Sequence, residues 1–466
     1  ANGTGNIYFP NNDLQIDNDL TVVGNTSLQN VSDSQTGSIS LLHTLDNPNA
    51  FGTSFQDLFG VSVAISGNYA IVGASLEDEA SGTTSGKAYI FNVTTGALLH
   101  TLDNPNAFDT TAGDLFGGTL AISGDHAIVG VPSEDDAGGT SSGKAYIFDV
   151  TTGTLVHTLD NPNPFGTSAS DIFGSNVGIS GNYAIVGARL EDEASGTSSG
   201  KAYIFDVTTG NLLHTLDNPN AFGTIENDQF GNSVAIDGNY AIVSSTGEDD
   251  AGGTSSGKAY IFDVTTGNLL HTLDNPNAFG TSVTDQFGSS VAISGNRAIV
   301  AAISEDDTGG TSSGKAYIFD VTSGSLLHTL DNPNAFGTSV DDVFGSRVGI
   351  SGNYAIVGAR REDSDGVTNS GKAYIFDVTT GDLIYTIDNP NPFDETPRFN
   401  LFGQSVAISG NRAIVGSREG DPERESGRAY IFNIVDEIEQ VTIPVDVNIT
   451  GTLTHVGDRN QLGDKI

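Results

Sequence analysis

One stretch, FGVSVAISGNYAIVGA at residues 59–74, recurs seven times along the chain. The Phe-Gly pairs that open the copies are Phe59-Gly60, Phe116-Gly117, Phe173-Gly174, Phe230-Gly231, Phe287-Gly288, Phe344-Gly345 and Phe402-Gly403. Successive copies lie 57 residues apart five times and 58 once. A fixed period of this length dictates a stacked or radial array, because a unit this small cannot bury its apolar surface alone.

Each unit holds four short apolar runs. In the first unit they are residues 61–66, 69–74, 87–93 and 98–102. They are rich in Val, Ile, Tyr and Phe and bounded by Gly, Asn and Thr, the pattern of strands. Apolar spacing of 3.6 residues is not sustained anywhere, so no helix is expected. Four strands per unit make the blade of a β-propeller, and the fold class expected is all-β with seven four-stranded blades. The 466 residues then form one array, 38–435, between two short β-rich flanks, 1–37 and 436–466. Residues 1–37, with strand-like runs at 7–9, 14–16 and 20–23, have too few apolar residues for a core of their own, and the alternation of Val441, Ile443, Val445, Val447 and Ile449 reads as a strand with one face buried.

The strand count is offset by one. Residues 41–45, Leu-Leu-His-Thr-Leu, read as a fourth strand with no first three before it. The seventh unit supplies three strands and stops. The orphan should therefore complete the last blade and close the ring, which removes the two open sheet edges of a linear array. Strands one and two join through Gly67-Asn68, and strands three and four around Thr94-Thr95-Gly96, both tight hairpins. Residues 75–86 and 103–115 are long connections. Alternation in an up-and-down blade puts the long loops on one face and the tight turns on the other. By the same logic both flanks should leave from the tight-turn face, where the turn of blade seven is cut open.

The long loops carry acidic clusters: Glu77-Asp78-Glu79, Glu134-Asp135-Asp136, Glu191-Asp192-Glu193, Glu248-Asp249-Asp250, Glu305-Asp306-Asp307 and Glu362-Asp363. Asp57, Asp114, Asp171, Asp228, Asp285 and Asp342 each precede a Phe-Gly by two. Together they predict one strongly acidic face. Unit seven departs, with a shorter loop, Arg398 and Asn400 before Phe402, and Arg428 for the usual Lys. Arg189 and Arg360-Arg361 also break the charge symmetry.

Fifty-eight acidic against 18 basic residues give a net charge of −40. That excludes a nucleic-acid partner, which requires a basic surface, and disfavours anionic membranes. No apolar run is long enough to span a bilayer. Cys, Met and Trp are absent, so there is no thiol chemistry. The chain opens on Ala1, as expected of a processed product.

Hard carboxylate oxygens suit calcium, which takes six to eight of them. The candidate ligands are Glu134, Asp135, Asp136, Glu248, Asp249, Asp250, Glu305, Asp306 and Asp307, weighed against a solvated acidic loop. The histidines of the fourth strands, His43, His100, His157, His214, His271 and His328, fall on different blades and cannot share a metal. They read as surface residues. Lys87, Lys144, Lys201, Lys258, Lys315 and Lys372 read as strand-end residues paired with carboxylates. Paired carboxylates also occur in glycosidases, but near-copies in every unit argue against one asymmetric catalytic centre. No Ser-His-Asp elbow, P-loop, HExxH or CxxC motif is present, and no enzyme is expected.

The repeat FGxSVAISGNxAIVGA with its following SGKAYIF resembles the FG-GAP repeat, the blade unit of integrin-α-like propellers and of many secreted bacterial and marine repeat proteins. The resemblance covers residues 38–435. It departs at the short hairpin, where Gly-Asn replaces the D-x-D-x-D-G calcium loop of such blades. Residues 5–32 and 447–460 resemble shaft segments of tailed-phage structural proteins, marine and cyanobacterial ones in style. That resemblance implies a non-enzymatic virion fibre or appendage protein, trimeric in its shaft and located on the virion surface. Other virion proteins would bind the flanks, and a host-surface glycan or protein would bind the acidic face. The alternatives are a secreted cellular adhesin or surface-layer propeller, and a glycan-active enzyme.

Overall fold

The computed structural model describes residues 14–16, 21–22, 37–48, 57–78, 84–105, 113–135, 139–162, 169–192, 197–219, 226–249, 254–276, 284–306, 311–333, 341–363, 369–391, 400–418, 426–435, 447–448 and 453–455. Among them there is no helix. Seven four-stranded sheets hold the repeats, each with its strands in sequence order except the last. Blade one is Phe59–Ser66, Tyr69–Ala74, Lys87–Asn92 and Leu98–Asp103. Its register runs Val63 to Val72, Ile71 to Ile90 and Ile90 to His100, all antiparallel. Blade seven is Ser405–Ser409, Arg412–Ser417, Arg428–Val435 and, from the other end of the chain, Ser38–Asp46. The orphan strand closes the ring as its offset predicted.

Burial explains why these residues make these strands. In the third strand, Ala88, Tyr89, Ile90 and Phe91 are all buried, because both faces of a blade are covered by neighbours. Alternation sends Ile90 to one seam and Tyr89 and Phe91 to the other. The seam between blades one and two packs Ile71, Ala88, Ile90 and Leu102 against Phe116, Val129, Tyr146 and Phe148. The seam between blades seven and one has the same composition, with Ile414, Ala429, Ile431 and Leu45 against Phe59, Val72, Tyr89 and Phe91. Burial of apolar area, at roughly 25 cal/mol per Å², is thus spent between blades rather than within them. The outermost strand keeps one buried position in six, Leu102 in blade one, and bulges at Leu99.

The Phe-Gly pair follows from this packing. Phe116 is fully buried, with its ring 6.0 Å from that of Phe148, edge to face. Gly117 at φ +87° then passes so close to blade one that a Cβ would lie 2.3 Å from the Lys87 carbonyl oxygen. Only glycine fits. The innermost strands are lined with small residues as they crowd towards the axis: Ala64, Ala121, Ala235, Ala292 and Ala407, with Gly178 and Gly349 in blades three and six.

By compactness, residues 39–434 form one unit, and 1–38 with 435–466 form another. In the second unit Leu14–Ile16 pairs antiparallel with Leu453–His455, and Thr21–Val22 with Val447–Asn448. The two flanks therefore pair with each other. Of the strand-like runs expected in the flanks, residues 7–9, 20, 23, 441–446 and 449 lie outside the described residues.

Candidate functional site

The acidic loops are built differently from a displayed carboxylate cluster. The first residue of each cluster turns inward. Glu134 is fully buried, and the Tyr146 hydroxyl donates to its Oε1 at 2.6 Å and Oε2 at 2.8 Å. Glu305 takes the same bond from Tyr317, at 2.7 and 2.6 Å. Tyr260 donates to Glu248 Oε2 at 2.5 Å, while Oε1 has no partner. Glu77, Glu191 and Glu362 repeat the arrangement with Tyr89, Tyr203 and Tyr374. Burial pushes the carboxyls of Glu77, Glu134, Glu248, Glu305 and Glu362 up to about 7, against a smaller downward pull from the tyrosine hydroxyls.

The second residue of each cluster folds the loop. Asp135 Oδ1 accepts the Ser141 amide at 2.7 Å, Asp249 that of Ser255 at 2.8 Å and Asp306 that of Ser312 at 2.9 Å. Asp136, Asp250 and Asp307 lie outside the described residues. The aspartates before each Phe-Gly are buried too. Asp57 accepts from the Asn47 amide at 2.9 Å, and Asp114 from Asn104 at 2.8 Å. In blade seven Asn400 stands in that place, buried, with its Nδ2 unpartnered. Six glutamates and six aspartates thereby leave the surface, so the acidic face is thinner than the sequence suggests. Among the described residues no three carboxylates or histidines gather as a metal cage.

The histidines are not idle surface residues. His43 Nε2 lies 3.0 Å from the carbonyl oxygen of Thr94, in the tight turn of the next blade. His100, His157, His214, His271 and His328 reach Thr151, Thr208, Thr265, Thr322 and Thr379 in the same way. The ring sits over the turn glycine, Gly96 for His43, where a Cβ would be 2.8 Å from Nδ1. Blade six has Tyr385 where the other fourth strands have histidine, and among the described residues blade seven has no such turn for it to reach. A constant spacing of 51 residues between His and Thr was the available signal. The lysines pair as expected, Lys87 with Asp103 and its five equivalents likewise.

The seven innermost strands enclose an axial cavity of about 490 Å³. Its wall carries a ring of equivalent positions: Ser62, Thr119, Asn176, Ser233, Ser290, Arg347 and Ser405. Arg189, just beyond the second strand of blade three, also lines it. Arg347 is open to solvent on the cavity wall, while Arg189 and Arg360 are half-buried. Burial holds all three guanidinium groups below their usual range, and the charge of Arg360 adds to this at Arg347.

A family model described as FG-GAP repeat matches residues 50–91, 106–148, 165–205, 223–262, 278–319, 335–376 and 398–432, one match per blade. No curated protein matches the chain.

Proposed function

The chain belongs to the FG-GAP repeat family, and on that premise we propose that it is a non-enzymatic recognition protein of a virion fibre or appendage. Its propeller would meet a host-surface glycan or protein with the long-loop face. Its paired flanks would join a shaft, as a homotrimer, and contact other virion proteins. One observation carries the recognition reading: the seven blades share one frame, and a set of their charged differences lies at the long-loop end. Tyr-Glu pairs, Lys-Asp pairs and His-Thr contacts repeat almost unchanged. One position just after strand two holds Arg189, Arg360 and Arg418 in blades three, six and seven but Ser75, Pro132, Thr246 and Ile303 in the others, and Asn400 replaces the usual Asp of the interblade loop; all lie where strand two or the interblade loop reaches that face. A scaffold kept constant and varied on the loops it displays is organised for binding rather than for turnover. The virion assignment is supported by the likeness of residues 5–32 and 447–460 to phage shaft segments.

Two measurements test this. A glycan array probed with the full chain should show selective binding that weakens in Arg360→Ser and Arg361→Ser. Immunogold labelling of purified particles should decorate an appendage. Labelling of the producing cell's surface instead would transfer the reading to a cellular adhesin.

A further inference from the structure

We propose that the axial channel is an oxyanion site, in which Arg189 from blade three and Arg347 from blade six hold a sulfate, phosphate or carboxylate group. The argument starts from cost. A half-desolvated guanidinium is expensive unless its donors are met, and a like-charged neighbour raises that cost. Other arginines of the propeller meet an acceptor: Arg297 pairs with Asp320 at 2.8 Å, Arg428 with Asp46 at 2.7 Å, and Arg412 with Asn433. Arg189, Arg347 and Arg360 have no carboxylate partner among the described residues, in a chain with 58 acidic side chains. Arg347 spends one donor on the neighbouring Ser346 carbonyl, at 2.9 Å, and lines the axial cavity.

Sequence position strengthens the case. At this point of the inner strand, blades three, four and five are tied to the next blade by an oxygen that accepts a backbone amide, whereas the Thr119 and Ser405 hydroxyls make the tie by donating to the Gly174 and Gly60 carbonyls. Asn176 Oδ1 accepts from Val234, Ser233 Oγ from Val291 and Ser290 Oγ from Val348. An arginine has no acceptor atom, so Arg347 cannot make the amide tie, and its one hydrogen bond among the described residues goes to Ser346 of its own blade rather than to a carbonyl of the next. Its place in the ring serves something other than blade-to-blade cohesion. Accepting through oxygen also leaves the Ser233 and Ser290 hydroxyl protons, and the Asn176 amide, as donors for a guest. Guanidinium groups from two blades three places apart, with hydroxyl and amide donors between, match the several lone pairs of a tetrahedral or planar oxyanion. At about 490 Å³ the cavity also has room for an acidic monosaccharide that bears such a group. The inference is independent of host recognition, since a free inorganic ion would satisfy it.

The test is isothermal titration of the full chain with sodium sulfate, sodium phosphate, glucuronate and N-acetylglucosamine 6-sulfate, each against chloride at matched ionic strength. One site per chain is expected. Arg347→Ser and Arg189→Ser should each weaken it about tenfold or more, the loss expected for one charge-assisted bond. Arg297→Ser, whose partner is Asp320, should leave it unchanged. Serine occupies the Arg347 position in four other blades, and unchanged melting would verify the fold. Equal affinity for ion and sugar would identify a free anion, and tighter sugar binding a glycan terminus. No saturable heat with any of the four probes, or an unaltered affinity in Arg347→Ser, would overturn the proposal.

Discussion

Arg428 Nε lies 2.7 Å from Asp46 Oδ1, across 382 residues of chain. In six blades the equivalent pair, Lys87 and Asp103 in the first, is separated by only 16 residues. The same contact therefore serves as an ordinary strand-end pair six times and as the closure of the ring once. Two further contacts cross the closure: the Gly67 amide donates to Ser409 Oγ at 3.3 Å, and Ser405 Oγ donates to the Gly60 carbonyl at 2.7 Å.

The ion pair marks the closure but does not hold it. Asp46 is 70% exposed, so solvent screens the attraction. Arg428→Ala should cost under about 1 kcal/mol. Leu45 is 3% exposed and fills the seam between blades seven and one. Leu45→Ala should cost about 2–5 kcal/mol. Urea denaturation of both variants checks the order, and a larger loss from Arg428→Ala would refute it. Deleting residues 38–46 should be far more damaging than trimming 1–30.

The buried glutamates give stability a pH dependence opposite to that of ordinary salt-bridged carboxylates. Glu77, Glu134, Glu248, Glu305 and Glu362 have folded values of about 7, raised from 4.5. Between those values the folded chain binds protons that the unfolded chain has released. Their contribution is fully present below about 4.5 and is lost as pH rises through about 7. Asp320 acts in the other direction. The Thr322 hydroxyl pulls it down to about 2, so its contribution is present above 3.8 and lost as pH falls through about 2. Thermal melts should show a higher Tm at pH 5 than at pH 8. Relief of the −40 net charge acts in the same sense. Glu134→Gln separates the two: it should flatten the slope, and an unaltered slope would assign the effect to net charge.

The histidine contact makes a prediction that neither residue suggests alone. Gly210 has φ +72°, and a Cβ there would be 2.9 Å from Nδ1 of His157. Gly181 has φ +54° and nothing within 4 Å. Gly181→Ala should lose only the cost of a left-handed backbone, about 1–2 kcal/mol. Gly210→Ala should lose more, because it also displaces the ring. Adding His157→Ala should return part of the difference, and additive losses in that double-mutant cycle would disprove the contact.

The fold was legible because its signals are local and repeated. Period, apolar runs and turn residues placed the strands, and the surplus strand at residues 41–45 gave the closure. The site was less legible because its partners are remote. Glu134 reads as surface acid until the loop returns to bring Tyr146 over it, twelve residues on, on the buried third strand. That spacing of twelve recurs in six units and was the missed signal. His43 likewise waits for Thr94 on the next blade. The ring of Ser62, Asn176 and Arg347 becomes visible only when the seven inner strands face one axis. Pairing of the flanks joins residues 14–16 to 453–455, with the whole propeller between them in sequence.

Calcium provides the last test of the loops. A cage needs six to eight oxygens. Glu134, Glu248 and Glu305 are held by buried tyrosines, and Asp135, Asp249 and Asp306 by loop amides. A calcium ion would have to break those bonds before it gained its own. Calcium should therefore leave Tm where magnesium leaves it at equal ionic strength. A ligand bound only to the folded chain would add about 2.7 kcal/mol at a hundredfold excess over its dissociation constant, a rise easily seen in a melt. A calcium-specific rise that disappears in Asp136→Asn, Asp250→Asn and Asp307→Asn together would show that the third carboxylates complete a site after all. Loss of the rise in Asp135→Ala alone would not, because that change also removes the acceptor of the Ser141 amide.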